Sequence, residues 1–151
     1  MEIGEITAWR VWRLGKDGVV YSPIVNLAWR PGGVMRSPLG AGAEDGIYAS
    51  KLRPEIKWPP SSRASWPLVI GRVLLWGTVF EHAKGYRAEN ARILSFDAIV
   101  SWSGFDADKA LALLRARYLD GDAGNELVEP ASMRHLFDNN IRNIRAAPSA
   151  T

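Results

Sequence analysis

The sequence predicts an α+β fold, a mainly antiparallel sheet with two C-terminal helices packed on one face or end, and three observations lead there. Two stretches alternate apolar and polar residues around tight-turn residues, as paired strands do. The middle of the chain is broken too often by proline and glycine for a long element. The last third changes to helical spacing. Whether the sheet curls into a partial barrel stays open at this level.

Between Ile3 and Leu14, residues Ile6, Ala8, Arg10, Trp12 and Leu14 alternate with Thr7, Trp9, Val11 and Arg13, which leaves one arginine on each face of a strand. Gly15-Lys16-Asp17-Gly18 tolerates positive φ, and Val19-Val20-Tyr21 follows, so a hairpin is expected, ended or edged by Pro23. Residues 29–46 hold Pro31-Gly32-Gly33, Pro38, Gly40 and Gly42 and read as loops, before a buried segment Gly46-Ile47-Tyr48-Ala49. Residues 50–66, with Pro54, Pro59 and Pro60, form a long connection of the kind that often carries function.

The centre of the sheet is expected from a strand over Leu68–His82 and its partner over Tyr86–Phe96. An Ala83-Lys84-Gly85 loop with a bulge would set His82 opposite Tyr86 and Glu81 opposite Arg87. In that register Val73, Leu75, Val79, Ala91 and Ile93 share a face with Glu81, Arg87 and Glu89. Trp76, Phe80, His82 and Tyr86 share the other. A slip of one residue would undo these pairings.

Asp106 is placed to cap a helix with Ala107, Leu111, Leu114 and Tyr118 on one side and Gly121 at its end. Pro130 opens a second, along which Met133, Leu136, Phe137, Ile141 and Ile144 follow helical spacing. A chain of 151 residues fits one domain, taken as residues 1–145 with a flexible tail at 146–151.

Composition removes several function classes. With 47% apolar and 23% charged residues the chain is globular in character, and it has no run near the ~18 apolar residues needed to span a bilayer. Without cysteine there is no disulfide, thiolate metal site or cysteine nucleophile, and without a secretory signal the expected compartment is the cytoplasm. Two histidines outside any spaced ligand motif argue against a metal centre, and no cofactor or nucleotide-hydrolysis fingerprint occurs. The net charge of +3 permits a polyanionic partner without requiring one, while seven tryptophans favour a binding role.

Two groups of residues are candidate sites. Glu81, His82, Tyr86, Arg87 and Glu89 unite a base, a phenol and a cation that could hold an anionic ligand. The plainer account is ion pairing of Arg87 with Glu81 or Glu89 at the sheet end, with His82 packed on Tyr86. Lys51, Arg53, Lys57, Trp58, Arg63 and Trp66 interleave cations with aromatic rings, a mixture suited to a protein interface or to single-stranded nucleic acid. Their plainer account is a solvated loop whose tryptophans tuck into the domain. His135 reads as a helix-surface residue, and Arg134, Arg142 and Arg145 as a solvated strip interrupted by Asp138.

Over roughly the first 95 residues the pattern Trp9-Arg10-x-Trp12, Asp17-Gly18, Trp29-x-Pro31-Gly32, Gly46-Ile47-Tyr48-Ala49, Leu75-Trp76-Gly77 and Glu81-His82-x-x-Gly85-Tyr86-Arg87-Ala88-Glu89 resembles a family of small bacterial proteins without an established activity. The resemblance implies that the 76–90 hairpin matters to the fold or to a ligand. Relatives of this type often carry cysteines just before the Gly-Ile-Tyr-Ala segment; here Ala43-Glu44-Asp45 stands there, so a thiol or metal role is not carried over.

The function expected from these features is a small cytoplasmic, non-catalytic binding protein acting on a larger protein or nucleoprotein partner. A phage or mobile-element inhibitor of a host nuclease fits that description. The alternatives are a nucleic-acid-binding protein, and an enzyme acting on a nucleotide-like or phosphorylated ligand at the 81–89 hairpin.

Overall fold

The alternation between Ile6 and Leu14 resolves into a strand with one buried face. In the computed structural model, which describes residues 5–23, 27–37, 46–59, 66–119 and 133–137, this strand is β1 (Ile6–Leu14). Ala8, Trp12 and Leu14 are at most 2% exposed, and Arg10 lies on the same side. The expected turn closes with Gly15 N–H donating to the Val19 carbonyl at 2.9 Å and Gly18 at φ 76°. Asp17 fixes it further, accepting from Val19 N–H at 3.1 Å and from the Tyr21 hydroxyl at 2.6 Å.

Six further strands follow: β2 (Val20–Tyr21), β3 (Ala28–Trp29), β4 (Met35–Arg36), β5 (Ile47–Ser50), β6 (Leu68–Glu81) and β7 (Gly85–Val100). All pairings are antiparallel, and β6 lies between β1 and β7. β5 joins β7 along four residues and meets β1 at the single pair Trp9↔Ser50, so β1, β6, β7 and β5 form a partly closed ring. Within the ring Trp12 packs edge-on against Trp29 and Phe96, and Phe96 against Tyr118, with ring centroids 5.3–5.6 Å apart. Such edge-to-face contacts add to the free energy of burying the rings.

The central hairpin corrects the register read from sequence. Glu81 pairs with Tyr86, Phe80 with Arg87 and Val79 with Ala88, one residue away from the expected pairing. Gly85 is not the positive-φ residue of a bulged turn; it begins β7 opposite Ser50, where a side chain would meet the Tyr48 hydroxyl at 2.8 Å. The positive-φ glycine is Gly77, at φ 83°, in a bulge between Trp76 and Val79 where two residues of β6 face one of β7. On β7 opposite that bulge, Ala88 and Ala91 are both fully buried. Tyr86 therefore packs against the core, while Arg87 moves to the opposite face with Phe80.

Helix α1 (Ala107–Tyr118) begins where sequence placed it, with the Asp106 carboxylate accepting from Lys109 N–H at 3.0 Å. Its buried face is Ala110, Leu114, Arg117 and Tyr118. It ends at Tyr118, before the expected stop at Gly121, which lies outside the described residues. Arg115 ties the helix to the sheet by donating twice to the Phe96 carbonyl, at 3.0 and 2.8 Å. Of the second expected helix, residues 133–137 contain a helical turn; the remainder of 130–144 lies outside the described residues. Met133, Leu136 and Phe137 are buried there, and Phe137 meets the rings of Trp102 and Phe105. Among the described residues no helix is long and apolar enough to cross a membrane.

Candidate functional site

The shifted register disperses the hairpin residues. Glu81 forms an exposed ion pair with Lys51 at 2.5 Å. His82 lies beyond the strand end with its side chain exposed, its backbone N–H donating to the Gly85 carbonyl at 2.7 Å. Tyr86 faces the core side with Lys51 Nζ 5.6 Å from its ring. The Glu89 carboxylate accepts from Thr78 N–H at 3.1 Å, closing the bulge at Gly77. Arg87 stands over the Tyr48 ring at 5.8 Å and has no carboxylate partner among the described residues, so the expected pair with Glu81 or Glu89 does not form. A cleft of about 500 Å³ adjoins the bulge, but Glu89 is the one member of the predicted set that lines it.

Several described residues of the 51–66 connection contact the sheet. Lys51 is held by Glu81, and Arg53 lies over Trp9 at 5.4 Å, with Arg72 over the same ring at 5.5 Å. Trp58 is half-buried against Trp102, and Trp66 is half-buried beneath Arg13 at 5.7 Å. Lys57 is exposed, and Arg63 lies outside the described residues. The two tryptophans thus contribute packing area as well as surface. His135 and Arg134 are exposed; Arg142 and Arg145 lie outside the described residues.

A larger cleft lies elsewhere. A cleft of about 630 Å³ opens between β3, β4 and β5, walled by Leu27, Trp29, Met35 and Ile47 and carrying Arg10, Arg36 and Arg87. Arg10 comes up from the core face of β1. Its guanidinium lies 4.7 Å from the centre of the Trp29 ring and donates to the Tyr48 carbonyl at 2.5 Å and to Ser22 Oγ at 3.1 Å. The Arg10 Nε is sealed from solvent and has no hydrogen-bond partner among the described residues. Burial pushes this guanidinium down to about 10, still protonated at neutral pH. Ser22 Oγ also accepts from Trp29 Nε1 at 3.1 Å, so two donors occupy its lone pairs and its O–H is left to donate.

Sequence reading singled out Arg87 but not Arg10, Arg36 or Tyr48. One signal was present: an arginine on the apolar side of an alternating strand has to be given partners by the fold. Chemically, the described residues of the cleft supply hydrogen-bond donors and positive charge, with neither an acidic side chain nor a histidine base. Among the described residues no three His, Asp or Glu side chains are grouped to hold a metal ion. The chain matches no family model, no curated protein and no solved structure.

Proposed function

We propose that the chain is a non-catalytic binding protein that docks a larger protein or nucleoprotein partner, in a cytoplasmic setting. The observation that carries this reading is the row Phe80–Arg87–Tyr48, three residues directly opposite one another on β6, β7 and β5. Phe80 is 48% and Tyr48 40% exposed, with Leu27 at 49% beside the adjoining cleft. An arginine between two exposed aromatic rings at the mouth of a concavity has the composition of a binding hot spot. Dispersal of Glu81, His82 and Glu89 into separate contacts favours binding over catalysis at the hairpin.

Affinity purification with nuclease-treated and untreated lysates tests the proposal. A partner captured by the wild-type chain and lost with Tyr48→Ser/Phe80→Ser supports it, and its survival of nuclease treatment assigns a protein rather than a nucleoprotein. Identical captures by the wild type and the folded variant overturn it.

A second reading, direct nucleic-acid binding, rests on Trp9, whose ring has the guanidinium groups of Arg53 and Arg72 within 5.4 and 5.5 Å of its centre. Oligonucleotide binding through this group would weaken steeply between roughly 50 and 200 mM salt. It would also be lost in Arg53→Gln/Arg72→Gln.

A further inference from the structure

Buried charges in proteins are nearly always paired, because taking an ion out of water costs more than neutral hydrogen bonds return. Arg10, half-buried with its Nε sealed from solvent, has no carboxylate partner among the described residues. Among the described residues its polar contacts are a carbonyl, a hydroxyl and an indole ring, and its Nε has no acceptor. Arg36 and Arg87 line the same cleft, and neither has an ion-pair partner among the described residues. The Ser22 O–H, its lone pairs filled by Arg10 and Trp29, adds a donor to the floor. Every polar feature named here asks for the same thing, an anion rich in acceptor oxygens.

We propose that this cleft binds a phosphate monoester carried on an apolar or aromatic body, a mononucleotide-like ligand. Three guanidinium groups favour phosphate over a single carboxylate, which would leave two of them uncompensated. Arginine also matches phosphate with paired N–H donors. The body of the ligand lies along the walls, against Leu27, Met35 and the exposed Tyr48 ring. At about 630 Å³ the cleft falls in the ~300–1,000 Å³ range of small-ligand sites. It shares Arg87 and Tyr48 with the docking row but does not depend on it, since a small anion enters whether or not a partner docks.

Calorimetric titration of the full chain tests this with adenosine monophosphate, adenosine, inorganic phosphate and benzoate. Adenosine monophosphate binds, inorganic phosphate binds more weakly, and adenosine and benzoate do not. Arg36→Gln, at an exposed position, and Arg87→Gln, at a half-buried one, each weaken adenosine monophosphate about tenfold, the loss of one charge-assisted contact. Arg10→Met removes binding, with circular dichroism as the check that it folds, and Phe80→Ser leaves binding unchanged.

Equal affinity for adenosine and its monophosphate overturns the proposal, as does unaltered binding in both glutamine variants. Equal affinity for inorganic phosphate and the nucleotide overturns the role of the walls. Competition by single-stranded oligonucleotides, with and without a terminal phosphate, assigns the source. A stronger effect of the phosphorylated strand marks a nucleic-acid end, and no competition marks the free nucleotide. Partner capture lost in Phe80→Ser with nucleotide binding intact, or nucleotide binding weakened in Arg36→Gln with partner capture intact, separates this site from the docking row.

Discussion

The hydroxyl of Tyr118 donates to the carbonyl of Trp29 at 2.5 Å while accepting from Val20 N–H at 3.0 Å. Val20 and Trp29 are themselves a cross-strand pair, so the last residue of α1 is wedged into the β2–β3 ladder. This contact anchors the short strands that hold Trp29, and Trp29 carries Arg10.

Tyr118→Phe removes both bonds and leaves a buried N–H and a buried carbonyl short of a partner. A loss of about 1–3 kcal/mol is expected. Urea unfolding followed by circular dichroism measures it, and a midpoint equal to wild type contradicts the bridge.

Burial, opposed by the Val20 bond, raises the Tyr118 phenol from 10.0 to about 12. The unfolded chain then loses this proton before the folded one. Its contribution to stability is full below pH 10 and is lost as pH rises from about 10 to 12. Ultraviolet titration of tyrosinate shows a late component that disappears in Tyr118→Phe.

Gly77 holds φ 83°, and a side chain there would also meet Asn90 Nδ2 at 2.6 Å. Gly77→Ala is expected to cost about 1–2 kcal/mol through the left-handed backbone alone. Denaturant midpoints report the loss, with the slope of the transition unchanged.

Lys51 and Glu81 form a pair whose side chains are 30% and 65% exposed. Lys51→Met and Glu81→Gln should each change stability by less than ~1 kcal/mol, an effect that shrinks with added salt. Neither these variants nor His82→Ala should alter adenosine monophosphate binding, because none of the three residues lines the arginine cleft.

Local signals were legible in the sequence, and long-range ones were not. Two-residue alternation marked β1 as a strand and separated its two faces, Asp17 and Gly18 marked the first turn, and Asp106 marked the start of α1. The 76–89 pairing was not legible because glycine serves two purposes there. Gly85 gives room for close approach of β5, while Gly77 supplies the positive φ that sequence reading assigned to Gly85. The two-residue Ala83-Lys84 turn, closed by His82 N–H donating to the Gly85 carbonyl, pairs Glu81 with Tyr86 and sets Arg87 opposite Phe80 instead. The arginine cleft draws on residues 10, 22, 29, 36, 48 and 87, from five strands and a loop, and no local spacing announces such a gathering.

The ring of strands closes between β1 and β5 at one residue pair, Trp9↔Ser50. Next to that seam Arg10 reaches from β1 to the Tyr48 carbonyl of β5. The side chain offered to an anion is therefore also a stitch across the thinnest join of the partly closed ring. Any pull on its guanidinium is felt as a change in how readily the seam parts, and by thermodynamic reciprocity the state of the seam sets how strongly the guanidinium can pull.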